Sequence, residues 1–201
     1  MNRVNQNSLL RARTMSRVAM LSVLGFLLMF FEVPLLFIAP EFIKMDFSEI
    51  PTLIGAFTMG PIYGVMVSAL KNILNAVIKG TTTGGVGELS NFIIGSTFAL
   101  VASVIYRSHK TYKGAVIGLG LGILAMTGLS LCSNYFVVFP LYGKFLSMDA
   151  IIAMGHAVTP KITDLWSFMV YSILPFNLLK GLITSFIMML VYKRVSFLFK
   201  N

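Results

Sequence analysis

Long hydrophobic stretches alternate with short polar clusters along this chain. Each of the five longest stretches approaches the roughly 20 residues that a helix needs to cross a bilayer. A shorter stretch at 50–59 ends at Gly60-Pro61, which separates it from the next one. The pattern predicts an all-α membrane protein of about six transmembrane helices, the second of them short. The five long stretches cover residues 15–31, 62–78, 89–106, 115–139 and 163–192.

Composition supports this prediction and narrows the class of protein. Hydrophobic residues make up 57% of the 201 residues and charged residues 11%, whereas soluble globular domains have roughly 45–50% and 25%. We expect a single transmembrane domain over residues 15–201, preceded by a basic cytoplasmic segment over 1–14. Although the net charge is +9, the basic residues flank the hydrophobic stretches and form no continuous patch, so no nucleic-acid partner is predicted.

The basic residues also predict the orientation in the membrane. They concentrate at the N-terminus, after the fourth stretch and at the C-terminus, and such residues favour the cytoplasmic side. Both termini are therefore predicted to be cytoplasmic. The connections on the opposite side are longer and richer in glycine, proline and acidic residues, so we expect a binding site that opens outward. The basic residues at these three places are Arg3, Arg11, Arg13, Arg17, Arg107, Lys110, Lys113, Lys193, Arg194 and Lys200.

A lysine near the middle of the last hydrophobic stretch is the strongest sign of a functional site. A charge at this depth costs roughly 2.5–3.5 kcal/mol on insertion scales, so it normally faces a protein interior or a wet cavity. Asn177 and Lys180 are three residues apart and share one face of a helix. We expect this pair to contact a small ligand. The alternatives are a hydrogen-bonded clamp between helices and a lysine that extends to the membrane interface.

Two other stretches contribute candidate ligand contacts. Gly87 and Glu88 belong to a glycine-rich segment, 81–91, that leads into the fourth hydrophobic stretch. Glycines let a ligand approach the backbone closely, and Glu88 is suited to accept hydrogen bonds from hydroxyl groups. Asn134 lies inside the fifth stretch, where a buried amide needs a partner. The alternatives are that Glu88 only stabilises a helix N-terminus and that Asn134 bonds another helix.

The first long loop provides a third group of candidates. Met45 and Phe47 are suited to cover a flat ring, and Asp46 between them to order the loop. The simpler alternative, which does not exclude the first, is that Asp46 or Ser48 caps the second helix.

Two helix faces have several interpretations. Lys71 and Asn75 share a face in the third hydrophobic stretch and form either a second polar site, a subunit contact or a structural pair. Ala19, Ser22 and Gly25 make a small-residue face on the first helix. Small residues let another helix approach closely, so this face suits either docking of a partner subunit or internal packing.

Bond-breaking chemistry is not predicted. The chain shows no nucleophile with a base, no paired carboxylates at a defined spacing and no ATP-binding motif. A single cysteine, Cys132, and two histidines, His109 and His156, leave no basis for a disulfide framework or a metal site. We therefore expect neither an enzyme nor a catalytic cofactor.

Five segments, taken in order, carry a family resemblance. They are Lys-Met-Asp-Phe-Ser-Glu-Ile-Pro (44–51), Thr-Met-Gly-Pro-Ile-Tyr-Gly (58–64), Gly-Val-Gly-Glu-Leu-Ser-Asn-Phe (85–92), Asn-Tyr-Phe (134–136) with Pro-Leu-Tyr-Gly (140–143), and Pro-Phe-Asn-Leu-Leu-Lys-Gly (175–181). Together they resemble the riboflavin-specific S-component, the substrate-binding membrane subunit, of energy-coupling factor (ECF) transporters. The similarity extends over nearly the whole chain after the first dozen residues.

The resemblance implies an ECF S-component-like fold that crosses the bacterial cell membrane several times and binds riboflavin, the transported ligand, from outside. It also implies partners, namely a transmembrane coupling protein and two ATP-binding cassette ATPases that hydrolyse ATP. The ligand contacts of the family map onto the 45–47 region, Glu88, Asn134, Asn177 and Lys180.

The first helix departs from the family in one respect. S-components usually carry Ala-x-x-x-Ala on the first helix for docking, and that strict motif is absent here, so docking through Ala19, Ser22 and Gly25 is a hypothesis.

Three other functions compete with a riboflavin-specific S-component. The first rival is an S-component for another vitamin or a purine. The second is a standalone proton-coupled carrier, with Glu88 and Lys180 as relay candidates. The third, a membrane enzyme or sensor, is disfavoured because a catalytic set is missing.

Overall fold

Helices make up most of the computed structural model, which describes residues 3–81, 84–144 and 146–198, with side chains over 11–81, 84–144 and 146–192. Two short antiparallel strands, β1 (Val33–Pro34) and β2 (Lys44–Met45), pair in the loop between the first two helices. The helices of the described residues are α1 (Arg3–Leu28), α2 (Glu49–Thr58), α3 (Pro61–Lys79), α4 (Val86–Ser108), α5 (Tyr112–Tyr142), α6 (Met148–Val158) and α7 (165–198).

Four of these helices, α3, α4, α5 and α7, are long and apolar enough to cross a membrane by length and composition. The prediction of a mostly helical protein with several helices of membrane-spanning length is confirmed. α1 has 26 residues and α2 only 10. α1 continues without a break through residues 14 and 15, where the sequence predicts the end of a basic N-terminal segment.

The short helix α2 lies in the protein interior. It packs against α1, α3, α4 and α7, and eight of its ten residues are buried. α3 approaches it closely at Gly64, where an added Cβ would lie 2.5 Å from the Cβ of Ala56. Because protein surrounds α2, it need not be long enough to span the bilayer. Its burial also carries the acidic residue at its first position, Glu49, into the interior.

The connections between the helices differ in their relation to the cavity. Residues from the α1–α2, α3–α4 and α5–α6 connections border one cavity. The two short turns, which join α2 to α3 and α4 to α5, lie near each other and do not border this cavity. The Arg107 guanidinium at the end of α4 lies against Gly60 in the α2–α3 turn. Of the basic residues used to predict the orientation, Arg3, Lys193, Arg194 and Lys200 lie outside the residues whose side chains are described.

The structure adds one helix, α6, that the hydrophobic pattern did not predict. The Ser147 side chain caps it by accepting a hydrogen bond from the Ala150 backbone N–H, and Asp149 lies in its first turn. At 11 residues α6 is too short to give a membrane-spanning signal. It is held by packing, because Ile151 is buried in a cluster with Phe139 and Phe168.

Three of the long helices contain a turn of π-helix, in which the hydrogen bonds span five residues instead of four. These turns are Asn75–Lys79 in α3, Asn134–Val138 in α5 and Met169–Ile173 in α7. π-turns are rare and are frequently found at functional sites. Here each of the three contributes at least one residue to the wall of the same cavity.

The small-residue face of α1 is divided between two environments. Ala19 is exposed. Ser22 is buried and donates a hydrogen bond to the Val18 carbonyl, and Gly25 lies against the side chain of Lys71 in α3, with an added Cβ 3.2 Å from the Lys71 Cδ. Of the three predicted docking residues, only Ala19 is accessible to a partner subunit in this conformation. Ser22 and Gly25 instead serve internal packing, the alternative that the sequence left open.

Candidate ligand-binding site

A cavity of about 610 Å³ lies between α3, α4, α5 and α7 and is bordered by the α1–α2 loop. Its volume is within the range of roughly 300–1,000 Å³ that small-molecule sites occupy. Six of the eight residues predicted as ligand contacts line it. These six are Asp46, Gly87, Glu88, Asn134, Asn177 and Lys180.

The other two predicted contacts, Met45 and Phe47, lie behind the cavity wall. Met45 is buried in an apolar cluster with Ala39 and Phe176, and Phe47 packs against this cluster. Phe176 itself lines the cavity. In a strand successive side chains point to opposite faces: in β2, Lys44 lines the cavity while Met45 faces the loop's own core. Asp46, which follows the strand, lines the cavity again.

Lys180 forms an ion pair with Asp46 at an enclosed part of the cavity. Its Nζ lies 3.4 Å from Asp46 Oδ2, and the two side chains are 12% and 10% exposed. The other carboxylate oxygen, Oδ1, accepts the Ser48 backbone N–H at 2.7 Å. Asp46 therefore orders the loop, as predicted, and joins it to α7. The alternative that Lys180 extends to the membrane interface does not hold in this structure.

The ion pair keeps Asp46 charged. Burial by itself would raise the pKa of Asp46, but the charges of Lys180 and Lys71 and the hydrogen bonds from Ser48 lower it to about 2, from an ordinary 3.8. A carboxyl group with a lowered pKa contributes stability that is complete above its ordinary pKa. This contribution is lost only as the pH falls from about 4 towards 2, so the loop remains tied to α7 at neutral pH.

The two cavity asparagines are oriented by their own helices. Asn177 Nδ2 donates to the Ile173 carbonyl at 2.8 Å, and Asn134 Nδ2 donates to the Ser130 carbonyl, also at 2.8 Å. Both carbonyls lie four residues earlier. Asn134 is the first residue of the π-turn in α5, and Ile173 is the last residue of the π-turn in α7. With Nδ2 held in this way, the amide oxygens form no hydrogen bond within the described residues. Each asparagine can therefore offer an acceptor to a ligand.

Glu88 stands at the start of α4 on the opposite wall. Its Oε2 accepts the Thr81 hydroxyl at 3.2 Å, and the Thr81 Oγ1 accepts the Gly85 backbone N–H at 2.7 Å. Gly85 precedes α4 with a φ of 88°, a left-handed conformation that glycine adopts without strain. Thr82 and Thr83 of the predicted glycine-rich segment lie outside the described residues. The turn places Glu88 beside the cavity, where it can accept hydrogen bonds from hydroxyl groups.

A second ion pair lies behind the first and was not identified from the sequence. Lys71 Nζ lies 2.7 Å from Glu49 Oε1 and donates to Ser48 Oγ, also at 2.7 Å. The side chains of Lys71 and Glu49 are 0% and 4% exposed. Lys71 is therefore a structural partner of the α2 N-terminus, whereas Asn75, on the same face, lines the cavity. Ser48 Oγ is occupied by Lys71 and makes no capping hydrogen bond to α2.

The two ion pairs form one connected network. Asp46, Ser48 and Glu49 are all buried, and they are held by one lysine from α7 and one from α3. The network ties the α1–α2 loop to two helices at the level of the cavity. A sequence offers little sign of this arrangement, because Lys71 and Glu49 are 22 positions apart.

Aromatic and charged residues that were not predicted as ligand contacts complete the wall of the cavity. Phe139 has its ring centroid 6.4 Å from that of Phe42 in an edge-to-face arrangement, and both line the cavity. Apolar surface with a few placed polar groups is typical of sites for flat organic ligands. The cavity is therefore suited to bind a molecule with an apolar ring and several hydrogen-bonding groups. Further lining residues not predicted as contacts include Glu32, Lys44, Lys79, Ser90, Asn91 and Phe176.

Comparison with known proteins supports the family indicated by the motifs. Residues 13–192 match the family model described as "ECF transporter, substrate-specific component". The chain is 32% identical over 179 residues to the riboflavin transporter RibU of Staphylococcus aureus (strain TCH60), covering 89% of this chain and 88% of RibU. It is 33% identical over 180 residues to the riboflavin transporter FmnP of Bacillus subtilis (strain 168), covering 89% and 90%.

A solved structure shows the same fold. The S component of a bacterial ECF transporter superposes with a TM-score of 0.73 at 30% sequence identity, covering 95% of this chain and 99% of that chain. The predicted resemblance is confirmed by the family model, the two relatives and this structure together. The chain belongs to the family of substrate-specific components of ECF transporters.

Proposed function

We propose that this protein binds riboflavin in the cavity between α3, α4, α5 and α7, and that it is the riboflavin-specific subunit of an ECF transporter. The observation that carries the proposal is the convergence of Asp46, Glu88, Asn134, Asn177 and Lys180 on one cavity in a chain whose relatives are riboflavin transporters. The isoalloxazine ring of riboflavin is flat and largely apolar, with one polar edge, and its ribityl chain carries several hydroxyl groups.

The polar groups match this ligand. The free amide oxygens of Asn134 and Asn177 can accept hydrogen bonds from the polar ring edge or the ribityl hydroxyls. Glu88 is a further acceptor, and Lys180 a donor whose ammonium is already held by Asp46. A ligand stripped of water makes each unpaired group costly, so these contacts give the cavity its selectivity for a ligand with matching polar groups.

The ion pair also bears on the rival mechanism of proton coupling. A proton relay needs a group that gains and loses a proton readily, and Lys180 was one of two candidates. In the structure its partner Asp46 has a pKa of about 2, so the pair stays charged near neutral pH. This arrangement supports a binding role for Lys180.

The first test is the absorption spectrum of the purified protein before any ligand is added. We expect the preparation to be yellow, because a tightly bound flavin is retained during purification, and to bind added riboflavin after the flavin is stripped. A colourless protein that binds no riboflavin but retains another vitamin or a purine would instead identify an S-component for that compound.

The partners are part of the same proposal. We expect the protein to lie in the bacterial cell membrane with its cavity open to the outside, and to work with a transmembrane coupling protein and two ATP-binding cassette ATPases. Riboflavin uptake by cells should then require all four proteins, while binding by the isolated subunit should not. Uptake that persists without the ATPases would favour a standalone carrier.

A further inference from the structure

A cluster of three charged residues stands at the open end of the cavity. Lys44 Nζ lies 3.3 Å from Glu32 Oε2, and the Lys79 ammonium forms an ion pair with Glu32 Oε1. All three residues line the cavity. Their side chains are 26–43% exposed, compared with 10–12% for Asp46 and Lys180. The cavity therefore has an enclosed polar end and a more open charged end.

The single carboxylate of Glu32 forms ion pairs with two lysines from different secondary-structure elements. Lys44 belongs to β2 and Lys79 to the π-turn of α3. Lys79 also lies over the ring of Phe30, 5.6 Å from its centroid. Both oxygens of Glu32 are thus engaged, and Glu88 adds a second negative charge to the same cavity. With Glu32 present, these four groups have no net charge.

The charged groups at the open end of the cavity affect which flavins it binds. The apolar ring of a flavin favours the buried aromatic part of the wall, at Phe139 and Phe176, which leaves the ribityl chain to extend towards the open end. Its terminal hydroxyl is uncharged in riboflavin and carries a phosphate in FMN. A phosphate at this place would meet the carboxylate of Glu32, and like charges brought together weaken binding.

We propose that Glu32 is a specificity-determining residue that selects uncharged flavins over phosphorylated ones, because its carboxylate pairs with both Lys44 and Lys79 at the cavity entrance. The inference rests on the proposed function, since it requires a flavin in this cavity. Without the Glu32 charge the same two lysines would form a cationic pair, which is a favourable partner for a phosphate.

The experiment compares riboflavin and FMN affinities of the stripped, purified protein at low ionic strength, measured by quenching of flavin fluorescence. Glu32→Gln keeps the size of the side chain and removes its charge. We expect this variant to shift the ratio of FMN to riboflavin affinity towards FMN by roughly tenfold or more. Added salt should reduce the gain, because it screens exposed charges.

Two further variants isolate the cause. Glu41→Gln removes a charge from the same loop at an exposed position and should leave the ratio unchanged. Lys79→Met in the Glu32→Gln background should cancel most of the gain for FMN, because it removes one of the two freed cations.

The outcomes separate the inference from the proposed function. If the parent protein binds no flavin, the proposed function fails. If it binds riboflavin and Glu32→Gln leaves the ratio unchanged, or Glu41→Gln shifts it equally, the role of Glu32 in specificity is overturned and the proposed function stands. Loss of riboflavin binding in Glu32→Gln alone would show that Glu32 holds the loop in place, and would also overturn the inference.

Discussion

Replacing Lys71 by methionine is expected to lower the free energy of unfolding by about 3–5 kcal/mol, because it leaves the carboxylate of Glu49 buried without its partner. The two side chains are 0% and 4% exposed, and their charged atoms lie 2.7 Å apart. Glu49 Oε2 has no hydrogen-bond partner in the described structure, so without Lys71 no side-chain donor there would hold this carboxylate. The thermal midpoint of the flavin-free protein in detergent should fall by about 6 °C or more.

Paired variants separate the lost ion pair from a general effect of substitution. Lys113→Met changes an exposed lysine and should leave the midpoint nearly unchanged. Replacing both Lys71 and Glu49 by methionine should recover most of the loss, because removing both charges also removes the desolvation cost. A fall in the double variant as large as in Lys71→Met would contradict this explanation.

The same ion pair can be disturbed from α4. An added Cβ at Gly95 would lie 2.4 Å from Glu49 Oε1, whereas a Cβ at Gly120 in α5 would contact nothing within 4 Å. Gly95→Ala is therefore expected to destabilise the protein by displacing the Glu49 carboxylate from Lys71. Gly120→Ala is its matched control and should be neutral or slightly stabilising.

Replacing Asn177 or Lys180 by alanine is expected to weaken riboflavin binding at least about tenfold, which corresponds to roughly 1.4 kcal/mol. Asn177→Ala removes an amide whose oxygen is free to accept a hydrogen bond from the ligand. Lys180→Ala removes a donor and also leaves Asp46 buried without the partner that lies 3.4 Å away. The loss should therefore be larger for Lys180→Ala. Dissociation constants measured by flavin fluorescence quenching test both expectations.

The two variants should differ in stability as well. Asn177 takes no part in the ion pairs, so Asn177→Ala should affect affinity more than the thermal midpoint of the flavin-free protein, while Lys180→Ala should affect both. Leu182→Ala is a control on the same helix, since Leu182 is 59% exposed and faces away from the cavity. Unchanged riboflavin affinity in both alanine variants would refute the assignment of the site.

The small-residue face of α1 shows why a helical spacing alone does not identify a docking surface. Ala19, Ser22 and Gly25 fit the spacing equally well, but the Lys71 side chain of α3 lies against Gly25 and Ser22 is buried. Ala19 remains exposed. A docking role is therefore proposed for Ala19 alone among the three.

Several features of this protein were determined by its sequence. The hydrophobic stretches are set by the length of a membrane span, so the long helices could be located from composition along the chain. The cost of a charge at membrane depth made Lys180 conspicuous, and helical spacing placed Asn177 beside it. The ordered motifs identified the family, which the comparisons confirm.

Other features were decided only by the tertiary structure. Helix α6 depends on packing of Ile151 against α5 and α7, and its short apolar segment has no periodic signal strong enough to predict it. The pairing of Lys71 with Glu49, and of Glu32 with Lys44 and Lys79, joins residues far apart in the chain, and Coulomb attraction acts only once folding has brought them together. Met45 and Phe47 pack in the apolar cluster of the loop, whereas Asp46 between them lines the cavity. Which side of a loop faces the cavity is therefore decided by what the rest of the fold covers.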